Sequence, residues 1–346
     1  MSIKANWSYP TAIRFGAGRI SEIGEACAAA GIKRPLLVTD KGLASLPITT
    51  KTLDLMEAAG LGRAMFSAVD PNPNEKNLEA GIKVFKAGNH DGVIAFGGGS
   101  GLDLGKMVAF MADQKGSVWD YEDIGDWWTR ADADAIYPNV AVPTTAGTGS
   151  EVGRASVLTN SETHVKKIIF HPKVLPSVVI CDPELTVGMP KPITAGTGMD
   201  AFADGSDLEA RAHMMSAAAM GATAFQKGLG AIHALSHPLG AVYNTHHGTT
   251  NAVVMPPVLR FNRPAIEGRL TQASAYLGIS GGFDGFFDYV LKLREELAIP
   301  DKMSALGVGT DRIDELAAMA IDDPSCGGNP VTLTEVNVRQ LFMDSL

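Results

Sequence analysis

Cysteine is scarce in this chain: Cys27, Cys181 and Cys326 are all it has. They are odd in number, far apart and without CxxC spacing. That argues against a disulfide framework or a thiolate metal site and fits a reducing compartment. Basic charge is in deficit as well, 29 Lys and Arg against 38 Asp and Glu, a net charge of -9. An acidic surface speaks against nucleic acid as a partner, which needs a basic face. Long apolar runs are missing too. The longest are strand-sized and bounded by glycine or charge, so neither a membrane span nor a membrane partner is expected. The opening "MSIKANWSYP" has no apolar segment behind basic residues, so no signal peptide is expected. The expectation is a soluble cytoplasmic protein.

What is present is enough apolar material for a large core: 45% hydrophobic residues in 346, a length that suggests about two domains. In the first half, "PLLVTD" (35–40), "GVIAFGG" (92–98), "NVAVPTT" (139–145) and "SVVICD" (177–182) are short, continuous apolar runs rich in β-branched residues. Such runs suit strands covered on both faces, as in a parallel sheet. Helical patterns that stop at glycine, "ISEIGEACAAAG" and "NLEAGIKVFKAG", lie between them. The alternation predicts a right-handed α/β domain over 1–188. Beyond about residue 190 only helical spacing remains, so 189–346 is expected to be all-α, with "DPELTVGMPKP" (182–192) as a hinge.

Three glycines and a serine follow the second strand in "GGGSGLDLGK" (97–106). Glycines allow close approach of the backbone to a polyanion, and the next helix start presents free N–H groups, a natural phosphate seat. The bland alternative is a tight turn with no ligand. Asp40 ends an earlier strand, where a carboxylate can accept both ribose hydroxyls of a dinucleotide and repel a 2′-phosphate, although Asp is also a common turn former. A second Gly/Thr-rich strand end, "PTTAGTGSE" (143–151), could line the same crevice.

Half of the eight histidines sit in "AIHALSHPLGAVYNTHHG" (231–248). His233 and His237 share one helix face, and His247 follows a short turn that could fold it back toward them. Neutral imidazole is a common ligand of zinc and iron(II), but the spacing alone does not say which histidines would bind. Asp200 and Asp204, four apart in "TAGTGMDAFAD", are possible carboxylate partners or simply solvated carboxylates near a helix start.

Taken together, "FGAG" (15–18), "GGGSGLDLGK", "VPTTAGTGSEV" (142–152), "DPELT" (182–186), "TAGTGMDA" (194–201) and "HALSHPLGAVYNTHHG" (233–248) resemble the iron-containing (group III) alcohol dehydrogenase family, in the family's order and over nearly the whole chain. The resemblance implies a dinucleotide-binding domain followed by a helical domain, a homodimer, and hydride transfer between NAD and an alcohol or carbonyl substrate assisted by a divalent metal, Fe2+ or Zn2+. It implies NAD over NADP through Asp40. It assigns cofactor contacts to Asn72, Gly98, Gly99, Ser100, Asp103, Thr144, Thr145, Thr148 and Lys166. It makes Asp200, His233 and His247 metal ligands and places His237 beside the nicotinamide as a catalytic proton relay; His246 matches no family role.

The chain departs from the family at one place. The fourth ligand, a histidine four residues after the aspartate, is Asp204 here, and a few dozen residues expected before "DGSDLEARAHMMSAAAM" are absent, an apparent internal deletion near 203–204. Two readings therefore stand at this stage: an active metal-dependent NAD oxidoreductase, or a metal-poor, impaired relative that still binds a dinucleotide.

Overall fold

The computed structural model describes residues 4–7, 9–189, 207–225 and 228–346. Asp200, Asp204 and the 203–204 junction lie outside the described residues. Packing divides the chain into two compact units, 1–224 and 225–346.

The first unit is built on a seven-stranded sheet. Its strands are β1 (Lys4–Trp7), β2 (Ala12–Gly16), β3 (Pro35–Asp40), β4 (Met65–Val69), β5 (Gly92–Gly97), β6 (Asn139–Pro143) and β9 (Val178–Cys181), in the order β1-β2-β9-β6-β5-β3-β4. Every pairing is parallel except β1 with β2 at one edge. All four strands expected from sequence are present. β1, β2 and β4 are too short and mixed in polarity to stand out as apolar runs.

Alternation along the strands explains how both faces are buried. On β5, Val93 joins a core with Leu36, Val38 and Phe66, while its neighbours Ile94 and Phe96 join Leu37, Val140 and Ile180 in a separate core. Helices α1 (Ile23–Ala29) and α2 (Pro47–Ala58) contribute Ile23, Cys27, Leu53 and Met56 to the second core; α3 (Glu75–Ala87) and α4 (Gly99–Met111) contribute Leu78, Phe85, Met107 and Phe110 to the first. β7 (Ala155–Thr159) and β8 (Lys166–Phe170) form a separate antiparallel hairpin. Sequence reading missed it because only every second residue of β7 is buried.

Helix α5 (Leu208–Phe225) follows the expected domain boundary of 188/189, yet it packs with the first unit. Its Ala212, Met215, Ala219 and Ala222 bury with Ile13, Phe15, Ala141 and Val179 of the sheet. "DPELT" is a locked turn directly after β9: the buried Asp182 carboxylate accepts N–H bonds from Gly18, Ile20 and Glu184 at 3.1, 2.9 and 3.0 Å. This staple fastens the "FGAG" turn to the end of β9.

The described residues of the second unit contain helices and no strand: α6 (Ala231–Tyr243), α7 (His247–Tyr276), α8 (Gly282–Glu296), α9 (Ile313–Asp322) and α10 (Glu335–Ser345). Its core gathers Leu235, Leu239, Val254, Val258, Leu316, Ala320, Leu341 and Phe342. No helix is long and apolar enough to cross a membrane among the described residues.

Candidate functional site

The chain winds from β3 to β4 on one side, then crosses so that β5 pairs with the other side of β3. The loops leaving β3 and β5 therefore diverge and open a crevice at the strands' C-terminal ends, where open α/β sheets bind ligands. Asp40 and Gly97 are the last residues of these two strands. Asp40 Oδ1 accepts the Leu43 N–H at 2.9 Å. Its Oδ2 would lie 3.7 Å from a Cβ built on Gly97, whose φ of +140° favours glycine.

Helix α4 starts here with Gly98 as its cap, which supplies no side-chain hydrogen bond, so its first N–H groups are left for an anion. The glycines also set how close the helix lies. A Cβ on Gly101 would sit 2.7 Å from the Phe96 carbonyl oxygen, and one on Gly105 would sit 2.6 Å from Ala95 Cβ. The second loop comes in beside the first. Thr144 N–H bonds to the Gly97 carbonyl at 3.0 Å, and Cβ atoms on Gly98 and Gly99 would lie 3.3 and 3.4 Å from the Thr145 and Thr148 methyls. Thr145 Oγ1 is buried with no hydrogen-bond partner among the described residues. Ser100 Oγ donates to the Pro71 carbonyl at 2.5 Å, which draws the loop carrying Asn72 against the start of α4.

Asp103 and Lys166 are engaged differently. Asp103 accepts from Ser150 Oγ at 2.5 Å and Val157 N–H at 3.1 Å, and it pairs with Lys106 at 3.3 Å. The fully buried Lys106 donates to the carbonyls of Ser150 at 3.0 Å and Ala155 at 2.6 Å. Burial lowers its pKa against the pull of Asp103 and Glu151. Burial likewise lowers that of Lys166, again against Asp103. These groups clamp the 143–151 loop and the β7–β8 hairpin to α4. Sequence reading did not single out Lys106 or Glu151.

Burial pushes the Glu151 carboxyl up to about 7, outweighing its own backbone N–H and Lys106; Cys181 also faces it. Its folded pKa exceeds the ordinary 4.5, so the folded chain holds the proton more tightly than the unfolded one. Stability should be full below pH 4.5 and fall as pH rises through about 7. The loss should be about 3 kcal/mol. Urea midpoints across this window should decline in the wild type and flatten in Glu151→Gln. Parallel pH profiles for the two proteins would refute it.

In the second unit the histidines do converge. His233 and His237 lie one turn apart on α6, Asn244 reverses the chain in a left-handed conformation, and His247 opens α7. Ring centroids are 5.3 Å apart for His233–His247, 5.5 Å for His237–His247 and 5.7 Å for His233–His237. Two imidazoles on one tetrahedral ion would place their centroids roughly 5 Å apart. Burial, with the neighbouring His237, lowers His233 to about 4, so it is neutral, the ligating form. Side-chain oxygens of Tyr243, Thr245 and Asn251 are buried without a hydrogen-bond partner among the described residues, and the Asn251 amide nitrogen lies 3.1 Å from His247 Nε2. The unmatched Asn251 oxygen, on the side chain beside the His247 imidazole, fits a site that takes a further group. Among the described residues, however, no three His, Cys, Asp or Glu side chains are placed to hold a metal, so the three imidazoles alone are not a shell.

His237 differs from the other two. Its Nδ1 lies 2.8 Å from the Oδ2 of Asp323, a residue that sequence reading passed over. Burial opposes charge on Asp323, but the bonds from His237 and Ser325 hold its pKa below the ordinary value. His246 caps α7, its Nδ1 accepting the Thr249 N–H at 3.4 Å.

Comparison with known proteins bears on the whole chain. Residues 10–183 match the family model for iron-containing alcohol dehydrogenase, and residues 193–346 match that for the C-terminal region of the same family. The chain is 35% identical to 4-hydroxybutyrate dehydrogenase of Cupriavidus necator over 383 aligned positions, which cover 98% of this chain and 99% of the relative. It superposes on the crystal structure of 1,3-propanediol oxidoreductase with a TM-score of 0.91 at 33% identity, covering 99% of this chain and 100% of the other. Sulfoacetaldehyde reductase from Bifidobacterium kashiwanohense, solved in complex with NAD+, gives 0.86 at 27% identity over 100% and 98%. These relatives carry the names of working oxidoreductases, and nothing among them supports the impaired, metal-poor reading. With both halves matched in order, the chain belongs to the iron-containing alcohol dehydrogenase family, as an NAD-dependent oxidoreductase of alcohols.

Proposed function

We propose that this enzyme interconverts a short, straight-chain primary alcohol bearing a second polar group and its aldehyde. The relatives named for 4-hydroxybutyrate and 1,3-propanediol support that substrate class. The observation that carries the reading is the convergence of His233, His237 and His247 within 5.7 Å of one another. In this reading His233 and His247, with Asp200 as a further donor, hold a divalent metal, Fe2+ in preference to Zn2+. When bound, that ion supplies Lewis acidity toward the alcohol oxygen.

The remaining roles belong to side chains and backbone. The first turn of α4 and the Gly98–Ser100 backbone seat the pyrophosphate, and the Thr144, Thr145 and Thr148 segment lines the same crevice. Asn72 and Lys166 flank it. Asp103 acts at one remove, by holding the Ser150 loop. His237 takes the proton released from the alcohol and returns it in the reverse direction. We assign the work to a homodimer, testable by sedimentation, and to the cytoplasm, which the free Cys27, Cys181 and Cys326 support.

The test is a panel of alcohols followed by NADH absorbance. Activity on 4-hydroxybutyrate or 1,3-propanediol at least as good as on ethanol is the expected result. Preference for an unsubstituted alkyl alcohol would overturn the substrate class.

Asp40 carries a second expectation. A carboxylate at the ribose faces the extra phosphate of NADP, a repulsion of roughly 1 to 2 kcal/mol at the surface. Asp40→Gly should raise the NADP-to-NAD ratio of kcat/KM by about tenfold. Equal use of both cofactors by the wild type would show that Asp40 is not at the ribose.

A further inference from the structure

We propose that Asp323 is a positioning residue for the reaction, fixing the orientation and tautomer of His237. The inference rests on the proton-relay role assigned to His237 above.

Asp323 lies 86 residues away in sequence, at the junction where α9 ends and a short 3-10 turn (Pro324–Gly328) begins. Both of its oxygens are committed. Oδ2 meets His237 Nδ1 at 2.8 Å, and Oδ1 accepts the Ser325 N–H at 2.8 Å. The two side chains are 9% and 7% exposed, so water does not compete for the bond.

The segment that carries Asp323 is fastened to the helix that carries His237. Asn329 Oδ1 accepts the Ala231 N–H, in the first turn of α6, at 3.1 Å and the Asn262 side-chain amide at 2.9 Å. Asn329 Nδ2 donates back to Asn262 Oδ1 at 2.8 Å and to the Val331 carbonyl at 2.7 Å. Gly328 passes so near Leu229 that an added Cβ would lie 1.9 Å from its carbonyl oxygen. This packing sets the register of the loop on α6, so the carboxylate meets the ring in one place.

An ionised carboxylate only accepts hydrogen bonds. The ring proton must therefore sit on Nδ1, which leaves the Nε2 lone pair available as a proton acceptor. Without Asp323 the ring could rotate, or place its proton on Nε2 and present no acceptor there. An isosteric asparagine permits that second state, because its amide can donate to Nδ1.

Asp323→Asn and His237→Asn are to be compared with the wild type by long-range 15N–1H correlation on the zinc-loaded protein, together with metal content, NADH binding, kcat and KM. The wild type should show His237 as the Nδ1–H tautomer, and Asp323→Asn should shift it toward Nε2–H. In Asp323→Asn kcat should fall by at least roughly a hundredfold, the usual worth of a positioned acid–base group. Metal content, NADH affinity and substrate KM should stay within about twofold. An unchanged tautomer, or an unchanged kcat in Asp323→Asn while His237→Asn is impaired, would overturn the inference. Full activity in His237→Asn would instead remove the relay role on which it rests. A thermal midpoint lowered in step with kcat and metal content would assign Asp323 a merely structural role and also overturn it.

Discussion

Replacing His233 or His247 with alanine is expected to remove the bound metal and lower kcat by at least roughly a thousandfold, the loss that several kcal/mol of Lewis-acid stabilisation represents. Neither change should unfold the protein. His233 is only partly buried, and His247 is exposed at the first position of α7, away from the Leu235–Phe342 core. His237→Ala should keep its metal and lose turnover. Elemental analysis of protein purified without chelators, alongside kcat and the thermal midpoint, reads all three variants. Retention of metal by His233→Ala with loss from His237→Ala would exchange the two roles; full metal in both His233→Ala and His247→Ala would dismiss the histidine site.

Lys106→Ala should be strongly destabilising, by roughly 3 kcal/mol, because it removes a buried cation from its partly buried partner Asp103. It strips Asp103 of its cation and leaves the Ser150 and Ala155 carbonyls without their donor. Lys106→Met keeps the volume of the side chain and should cost less than alanine, yet still more than a surface change. Since Lys106 also ties the 143–151 loop to α4, NADH affinity should fall in both variants at temperatures where they remain folded. Urea unfolding with fluorescence titration of NADH tests this. A shift below about 1 kcal/mol for alanine, the range of an exposed pair, would mean that Lys106 is not buried in a charge cluster.

The sequence by itself determined the parallel sheet of the first half, since β3, β5, β6 and β9 are continuous apolar runs of strand length. It also determined the helix carrying His233 and His237, because 3.6-residue spacing is local information. The glycine loops were legible for the same reason: their conformational demands are written in consecutive residues. Tertiary structure alone decided what depends on distant pairing. β1 and β2 are ordinary mixed segments until β2 pairs with β9, and the β7–β8 hairpin declares itself only by its register. The packing of α5 against the sheet was likewise decided by the fold, where its small residues meet the sheet face. Lys106 and Glu151 read as ordinary charges until α4 and the 143–151 loop bury them together. Asp323 reads as a turn former in "DDPSCGGNP" until the fold sets it against His237. Burial and partnership across 86 residues are sums over the whole packed chain, and no window of local sequence contains them.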